Sequence, residues 1–67
     1  MNLLINGEKK TFADGINIAQ LLKVEDVESP DMVSVQFNGE FLKRHEYDAA
    51  YPKDNDEVNF LYFMGGG

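Results

Sequence analysis

Apolar and polar residues alternate in short runs along this chain, and turn residues separate the runs. Asn6-Gly7 lies between two such runs, and Asn38-Gly39 lies between two others. An Asn-Gly pair in this position is the strongest local signal for a β-hairpin. We therefore predict two hairpins, with strands at about 2–6, 8–12, 33–37 and 40–42.

A helix is predicted between the two hairpins. Asn17 can cap its first turn, and Gln20 follows three residues later, at the spacing of a capping box. Ile18, Leu21 and Leu22 recur at helical spacing and form one apolar face. The helix is expected at about residues 17–24, and the polar segment 25–31 that follows is expected to be a loop.

The last third of the chain predicts one further helical turn, at about 45–51, and a final strand at 58–64. The predicted order is ββαββ-β, an α+β fold with one helix on one face of a mixed sheet. The first and last strands should lie side by side in the middle. The residues expected to face inward are Leu3, Ile5, Phe12, Ile18, Leu21, Leu22, Val33, Val35, Val58 and Phe60, and Tyr47 and Tyr51 should pack over the end of this core.

The composition narrows the range of functions. The chain has 67 residues, no Cys and a formal net charge of -6. The missing Cys excludes disulfides and thiolate metal sites, and the acidic balance argues against nucleic acid as a partner. The apolar runs are too short to span a membrane. We expect a single domain over 1–67, located in the cytoplasm, whose acidic surface favours a basic protein partner.

The chain ends on Gly65-Gly66-Gly67, directly after the apolar run 60–64. Glycines lack Cβ atoms, so such a tail can enter a narrow slot and bring its carboxylate within reach of an enzyme. We predict that the carboxylate of Gly67 is the reactive group. The alternative is a frayed chain end without a role.

The other candidate sites are weaker. His45 has no evident partner for catalysis or metal binding, so a surface or turn position is expected. Residues 54–57 superficially suggest a Ca²⁺ loop but lack its Gly and its distant Glu, so a solvated turn is predicted. No nucleophile–base pair or phosphate-binding loop is present, and no metal or cofactor is expected to bind.

The predicted register of the last strand suggests a docking surface. If Val58 and Phe60 point inward, period-two alternation places Leu61 and Phe63 on the opposite face. Two large apolar side chains there would form an exposed patch, which often marks a partner site. Phe41 and Met64 are further candidates for this surface. A shift of one residue would instead turn the whole set inward.

Three segments, residues 1–22, 33–44 and 54–67, resemble the thiamine-type sulfur carriers of the ThiS family and the related molybdopterin-synthase small subunit, MoaD. These families share the ubiquitin-like β-grasp fold, and the resemblance covers nearly the whole chain. Their Asn-Gly turns and terminal Gly-Gly are individually common, and their conjunction is what points to the family. Lys43 stands where the thiamine type usually has Pro. Asn55 replaces a usual central Gly, which Asn can do because it tolerates left-handed backbone.

The resemblance implies a mechanism. An E1-like adenylating enzyme of the ThiF or MoeB type would use ATP to activate Gly67. Sulfur from a persulfide protein would then give a thiocarboxylate, and a ThiG-type thiazole synthase would take up that sulfur. The chain itself would not be an enzyme. If a protease first removed Gly67, the working terminus would be Gly66.

Several alternatives share the same fold. The sulfur could serve molybdopterin or amino-acid synthesis. The chain could instead be a ubiquitin-like modifier that forms isopeptide bonds, or a β-grasp adaptor with an inert tail.

Overall fold

Five strands and one α-helix make up the described part of the chain, residues 1–27 and 32–62, in a computed structural model. The predicted order of elements is confirmed. The bounds are β1 Asn2–Ile5, β2 Glu8–Thr11, α1 Ile18–Val24, β3 Val33–Phe37, β4 Glu40–Phe41, a 3-10 helix Arg44–Glu46, and β5 Glu57–Tyr62. The predicted residues 28–31 of the loop and 63–64 of the last strand lie outside the described residues.

Both hairpins turn at their Asn-Gly pairs, as predicted. Asn6 and Gly7 have φ angles of 52° and 82°, and Asn38 and Gly39 have 49° and 87°. A two-residue type I′ turn requires positive φ at both of its central residues, and its twist matches that of the paired strands. The register follows directly, with Ile5 opposite Glu8 and Phe37 opposite Glu40.

The strands form one mixed sheet in the order β2-β1-β5-β3-β4. Strands β1 and β5 are parallel neighbours, which confirms the predicted pairing of the first and last strands. Strand β5 also pairs with β3, antiparallel, from Phe37 opposite Val58 to Val33 opposite Tyr62. The last strand is therefore the central one.

Helix α1 begins with the predicted capping box. The Asn17 side chain accepts the Gln20 backbone N–H at 2.8 Å, and the Gln20 side chain accepts the Asn17 backbone N–H at 2.8 Å. The two bonds satisfy donors that the first helical turn leaves without partners. No helix in the described residues is long and apolar enough to cross a membrane.

The core lies between α1 and one face of the sheet. Nine of the ten residues predicted to face inward are buried there. They come from β1, α1, β3 and β5: Leu3, Ile5, Ile18, Leu21, Leu22, Val33, Val35, Val58 and Phe60. Burial of these side chains is the main force that holds α1 on the sheet.

One predicted core position is wrong: Tyr51 is exposed, and its neighbour Pro52 is buried instead. Phe12 lies just after the edge strand β2, where its N–H bonds the Met1 carbonyl at 2.8 Å. It is partly buried against the core and so faces inward as predicted. Tyr47 packs against the core as predicted.

Candidate functional site

Strand β5 is the last described element before the glycine tail, and its register fixes which of its side chains face outward. Val58 and Phe60 are buried, whereas Leu61 is 44% exposed. The predicted register of this strand is therefore confirmed. The other predicted residues of the site, Phe63, Met64 and Gly65–Gly67, lie outside the described residues.

Leu61 and Phe41 lie on the open face of the sheet, opposite the helix. Phe41 is 61% exposed and pairs with Gln36 of β3, and Leu61 pairs with Ser34 on the other side of the same strand. The two apolar residues are therefore two strands apart and offset by two positions, roughly 12 Å between Cα atoms at normal sheet spacing. They form two separate apolar points on one face.

Polar side chains occupy the space between these two points. Asn59 is paired with Gln36 in the sheet, and its side-chain amide donates to the Gln36 Oε1 at 3.2 Å. Ser34 is small and leaves the Leu61 side chain uncovered. A partner surface that fits this face needs two apolar contacts around a central polar strip.

A second exposed aromatic residue lies at the end of β5. By strand alternation Tyr62 shares the face of Val58 and Phe60, yet it is 52% exposed. Its partner in the sheet is Val33, the first residue of β3, so Tyr62 lies at one end of the pairing between these two strands.

Strand β5 is held on both sides by asparagine side chains from the two hairpin turns. The Oδ1 atom of Asn6 accepts the Phe60 N–H at 2.8 Å, and the Oδ1 atom of Asn38 accepts the Glu57 N–H at 2.8 Å. The sequence identified both residues as turn formers. It gave no signal for their bonds to β5, because these span 54 and 19 positions.

The acidic turn before β5 uses its carboxylates to bind two backbone N–H groups, one in β1 and one in the turn itself. Asp54 Oδ1 accepts the Asn2 N–H at 2.6 Å, and Asp56 Oδ2 accepts the Lys53 N–H at 2.8 Å. Asn55 has a φ of 73°, so the predicted left-handed position is confirmed. The described residues contain no group of three or more His, Cys, Asp or Glu side chains placed to hold a metal ion. His45 is exposed in the 3-10 helix, as predicted.

One ion pair lies on the helix side of the sheet, away from the open face. Lys10 of β2 is opposite Leu3, and its Nζ lies 2.9 Å from the Glu25 Oε1 at the end of α1. The hydrogen bond from Lys10 to this carboxylate, together with the attraction of its charge, raises the pKa of Lys10 above the ordinary value of 10.5. The pair joins an edge strand to the helix.

Comparisons with known proteins place this chain in a family. The sequence profile of the ThiS family matches residues 3–67. A thiazole synthase from Paramagnetospirillum magneticum is 33% identical over all 67 residues, and the chain spans about 20% of that protein's length.

Solved structures agree over the full length. A crystal structure of the thiamine biosynthesis protein ThiS from Geobacter metallireducens is 46% identical, with a TM-score of 0.90 and complete coverage of both chains. A solution NMR structure of a thiamine biosynthesis protein from the same organism is 45% identical, with a TM-score of 0.81 over all of this chain and 88% of that one. The chain has the β-grasp fold and belongs to the ThiS family.

Proposed function

We propose that this chain is a cytoplasmic sulfur carrier protein of thiamine biosynthesis and not itself an enzyme. One observation carries the proposal: the ThiS family profile matches residues 3–67, so the match includes the glycine tail as well as the folded part. The full-length similarity to a protein named ThiS supports it. In this proposal residues 1–67 form one domain, and Gly65–Gly67 form the part that an enzyme uses.

The chemistry takes place at the carboxylate of Gly67. A carboxylate oxygen attacks the α-phosphorus of ATP, and pyrophosphate leaves, which gives an acyl adenylate. The terminal sulfur of a persulfide attacks the acyl carbon, and the bond to AMP breaks. A thiol then attacks the remaining S–S bond, which forms a disulfide and frees the thiocarboxylate.

In this reaction the chain presents its terminal carboxylate, and the partner enzymes catalyse the chemical steps. Strand β5 has neighbours on both sides along its first residues, so it gives the tail a fixed origin. The five residues after Tyr62 can span at most about 17 Å when fully extended. Glycine at 66 and 67 lets the backbone pass where a Cβ atom would collide with the wall of a narrow slot.

The proposed partners follow from the chemistry and from one relative. The reaction needs an adenylating enzyme of the ThiF or MoeB type with ATP, and a persulfide protein as sulfur donor. The relative named thiazole synthase joins a segment similar to this chain to a remainder about four times as long. Covalent joining gives two modules a high effective concentration, which supports a ThiG-type thiazole synthase as the acceptor of the sulfur.

We place the docking surface for these enzymes on the open face of the sheet and the start of the tail. Leu61 and Phe41 supply its two exposed apolar points among the described residues. Phe63 and Met64 continue this surface in the proposal. Exposed apolar residues near a reactive group are typical of partner sites.

The test is an intact-mass measurement of the chain after incubation with ATP, the adenylating enzyme and a persulfide donor. We expect a gain of about 16 mass units, since sulfur replaces one oxygen. A variant without Gly67 should gain nothing. Reactions without ATP serve as the control.

Other results would change the proposal. An unmodified chain in the presence of an enzyme that adenylates another carrier would exclude sulfur transfer. Covalent adducts on other proteins would instead identify a modifier. A gain that occurs only after removal of Gly67 would move the working terminus to Gly66.

A further inference from the structure

The Asn6 side chain contacts β5 at the point where its neighbour β1 ends. Strand β1 ends at Ile5, and its last pair with β5 joins Ile5 to Val58. The Asn6 N–H still bonds the Val58 carbonyl at 3.0 Å. In a regular parallel ladder the next bond would join the Phe60 N–H to the main-chain carbonyl of residue 6.

The hairpin turn prevents that main-chain bond. Asn6 has a φ of 52°, so the backbone leaves the strand direction at this residue. The side-chain carbonyl takes over, and the Phe60 N–H donates to Asn6 Oδ1 at 2.8 Å in a partly buried bond. One residue therefore both starts the turn and extends the parallel ladder by one step towards the tail.

We propose that Asn6 is a positioning residue for the reactive tail. Its side chain substitutes for a missing strand residue on the β1 side of β5, while β3 holds the other side as far as Tyr62. Asn6 therefore helps to set where the chain after Tyr62 begins. Phe60 stands seven residues before Gly67. A tail whose origin is fixed loses less entropy when it enters an enzyme's slot.

The second hairpin provides a matched control. Asn38 is also the first residue of an Asn-Gly turn, with a φ of 49°, and its Oδ1 also accepts a β5 N–H at 2.8 Å. That N–H belongs to Glu57, the first residue of β5, and lies on the β3 side of the strand. The two turns make the same kind of bond, one at the first residue of β5 and the other at its fourth.

The experiment compares full-length Asn6→Gly, Asn6→Asp and Asn38→Gly with the original chain. Glycine adopts positive φ freely, so it keeps the turn and removes only the acceptor. Aspartate tolerates the same backbone and restores an acceptor oxygen. Amide hydrogen exchange and ¹⁵N relaxation are measured on the free chain, and KM and kcat are measured for its adenylation through pyrophosphate release.

We expect Asn6→Gly to speed exchange of the Phe60 amide about tenfold, the effect of one net hydrogen bond. Order should fall at Leu61 and Tyr62. The KM of the chain for the adenylating enzyme should rise roughly fivefold, the cost of ordering a freer segment, with little change in kcat. Asn6→Asp should restore both readouts, and Asn38→Gly should affect the Glu57 amide with KM unchanged.

Equal rises in KM for Asn6→Gly and Asn38→Gly would overturn the proposal, because a general loss of stability would then explain both. Unchanged order at Tyr62 in Asn6→Gly would also overturn it. The inference rests on the proposed function only for the expected change in the KM of adenylation. A chain that the enzyme never adenylates would reject that function, and the exchange and relaxation data would still decide the role of Asn6.

A measurement on the original chain covers the case in which Asn6→Gly does not fold. Scalar coupling across the hydrogen bond, between the Phe60 amide nitrogen and the Asn6 side-chain carbonyl carbon, should be detectable. Its absence would overturn the proposal.

Discussion

Four residues other than glycine adopt positive φ in the described part of the chain, and all are Asn or Asp: Asn6, Asp26, Asn38 and Asn55. A left-handed conformation costs most L-residues roughly 1–2 kcal/mol, and Asn and Asp reduce this cost with local hydrogen bonds. Asn55 also donates its N–H to the Asn2 carbonyl at 2.6 Å, which ties the turn before β5 to the first strand. The left-handed backbone at this residue therefore helps to place the start of β5.

Asn55→Val should lower the free energy of unfolding by about 1–2 kcal/mol, since a β-branched residue strongly disfavours a φ of 73°. Asn55→Gly should stay within about 0.5 kcal/mol of the original chain. Urea unfolding measures both. Asn59→Val provides the control because strand β5 favours β-branched residues, and an equal loss there would show that the effect does not come from the turn.

The residue types predicted the left-handed turns because Asn and Gly both tolerate positive φ and are strongly preferred in this order in hairpin turns. They could not predict the two bonds from asparagine side chains to β5. Such a bond depends on where the sheet brings a turn, and the partners of Asn6 are more than 50 positions away. The residue type determines the local backbone conformation of the turn, and the topology of the sheet determines which N–H group the asparagine side chain can reach.

At the scale of elements, an ion pair joins the edge strand β2 to the end of the helix. Lys10 lies next to a carboxylate that the end of α1 brings within 2.9 Å. Spacing along the chain predicted the capping box, where the partners are three residues apart. It could not predict Lys10–Glu25, where they are fifteen apart on different elements.

The ion pair predicts a dependence of stability on pH. Glu25 raises the folded-state pKa of Lys10, so its contribution is complete below the ordinary lysine pKa of 10.5 and is lost as the pH rises through the raised value. The difference in unfolding midpoint between the original chain and Glu25→Gln should therefore be present at neutral pH and disappear at strongly alkaline pH. Urea unfolding of both chains over this range is the measurement. A difference that stays constant with pH would show that Lys10 does not carry it.

At the scale of the whole molecule, alternation along each strand predicted which face of the sheet is buried. It also placed Leu61 on the open face. The separation of Leu61 from Phe41 could not be predicted, because it depends on the order of strands across the sheet.

The open face can be tested with charge substitutions. Leu61→Asp and Phe41→Asp should each weaken binding to the adenylating enzyme about tenfold or more, since each removes an apolar contact and buries a charge. Val24→Asp is the matched control, because Val24 is as exposed as Phe41, at 61%, and lies at the end of α1. Calorimetric titration measures binding, and circular dichroism checks the fold. Equal losses in all three variants would exclude the open face as the docking surface, and unfolding of Leu61→Asp would place that residue in the core.

The central position of β5 has a consequence for synthesis of the chain. A ribosome makes β1 to β4 first. In the sheet, β1 and β3 are not neighbours, because each of them pairs with β5, which lies between them. The hairpins can form early, because their contacts are local, whereas the shared sheet requires a strand that is made more than fifty residues after β1. A nascent chain therefore cannot complete this core until β5 has been translated. The fold and the segment that follows Tyr62 become available to an enzyme at about the same time.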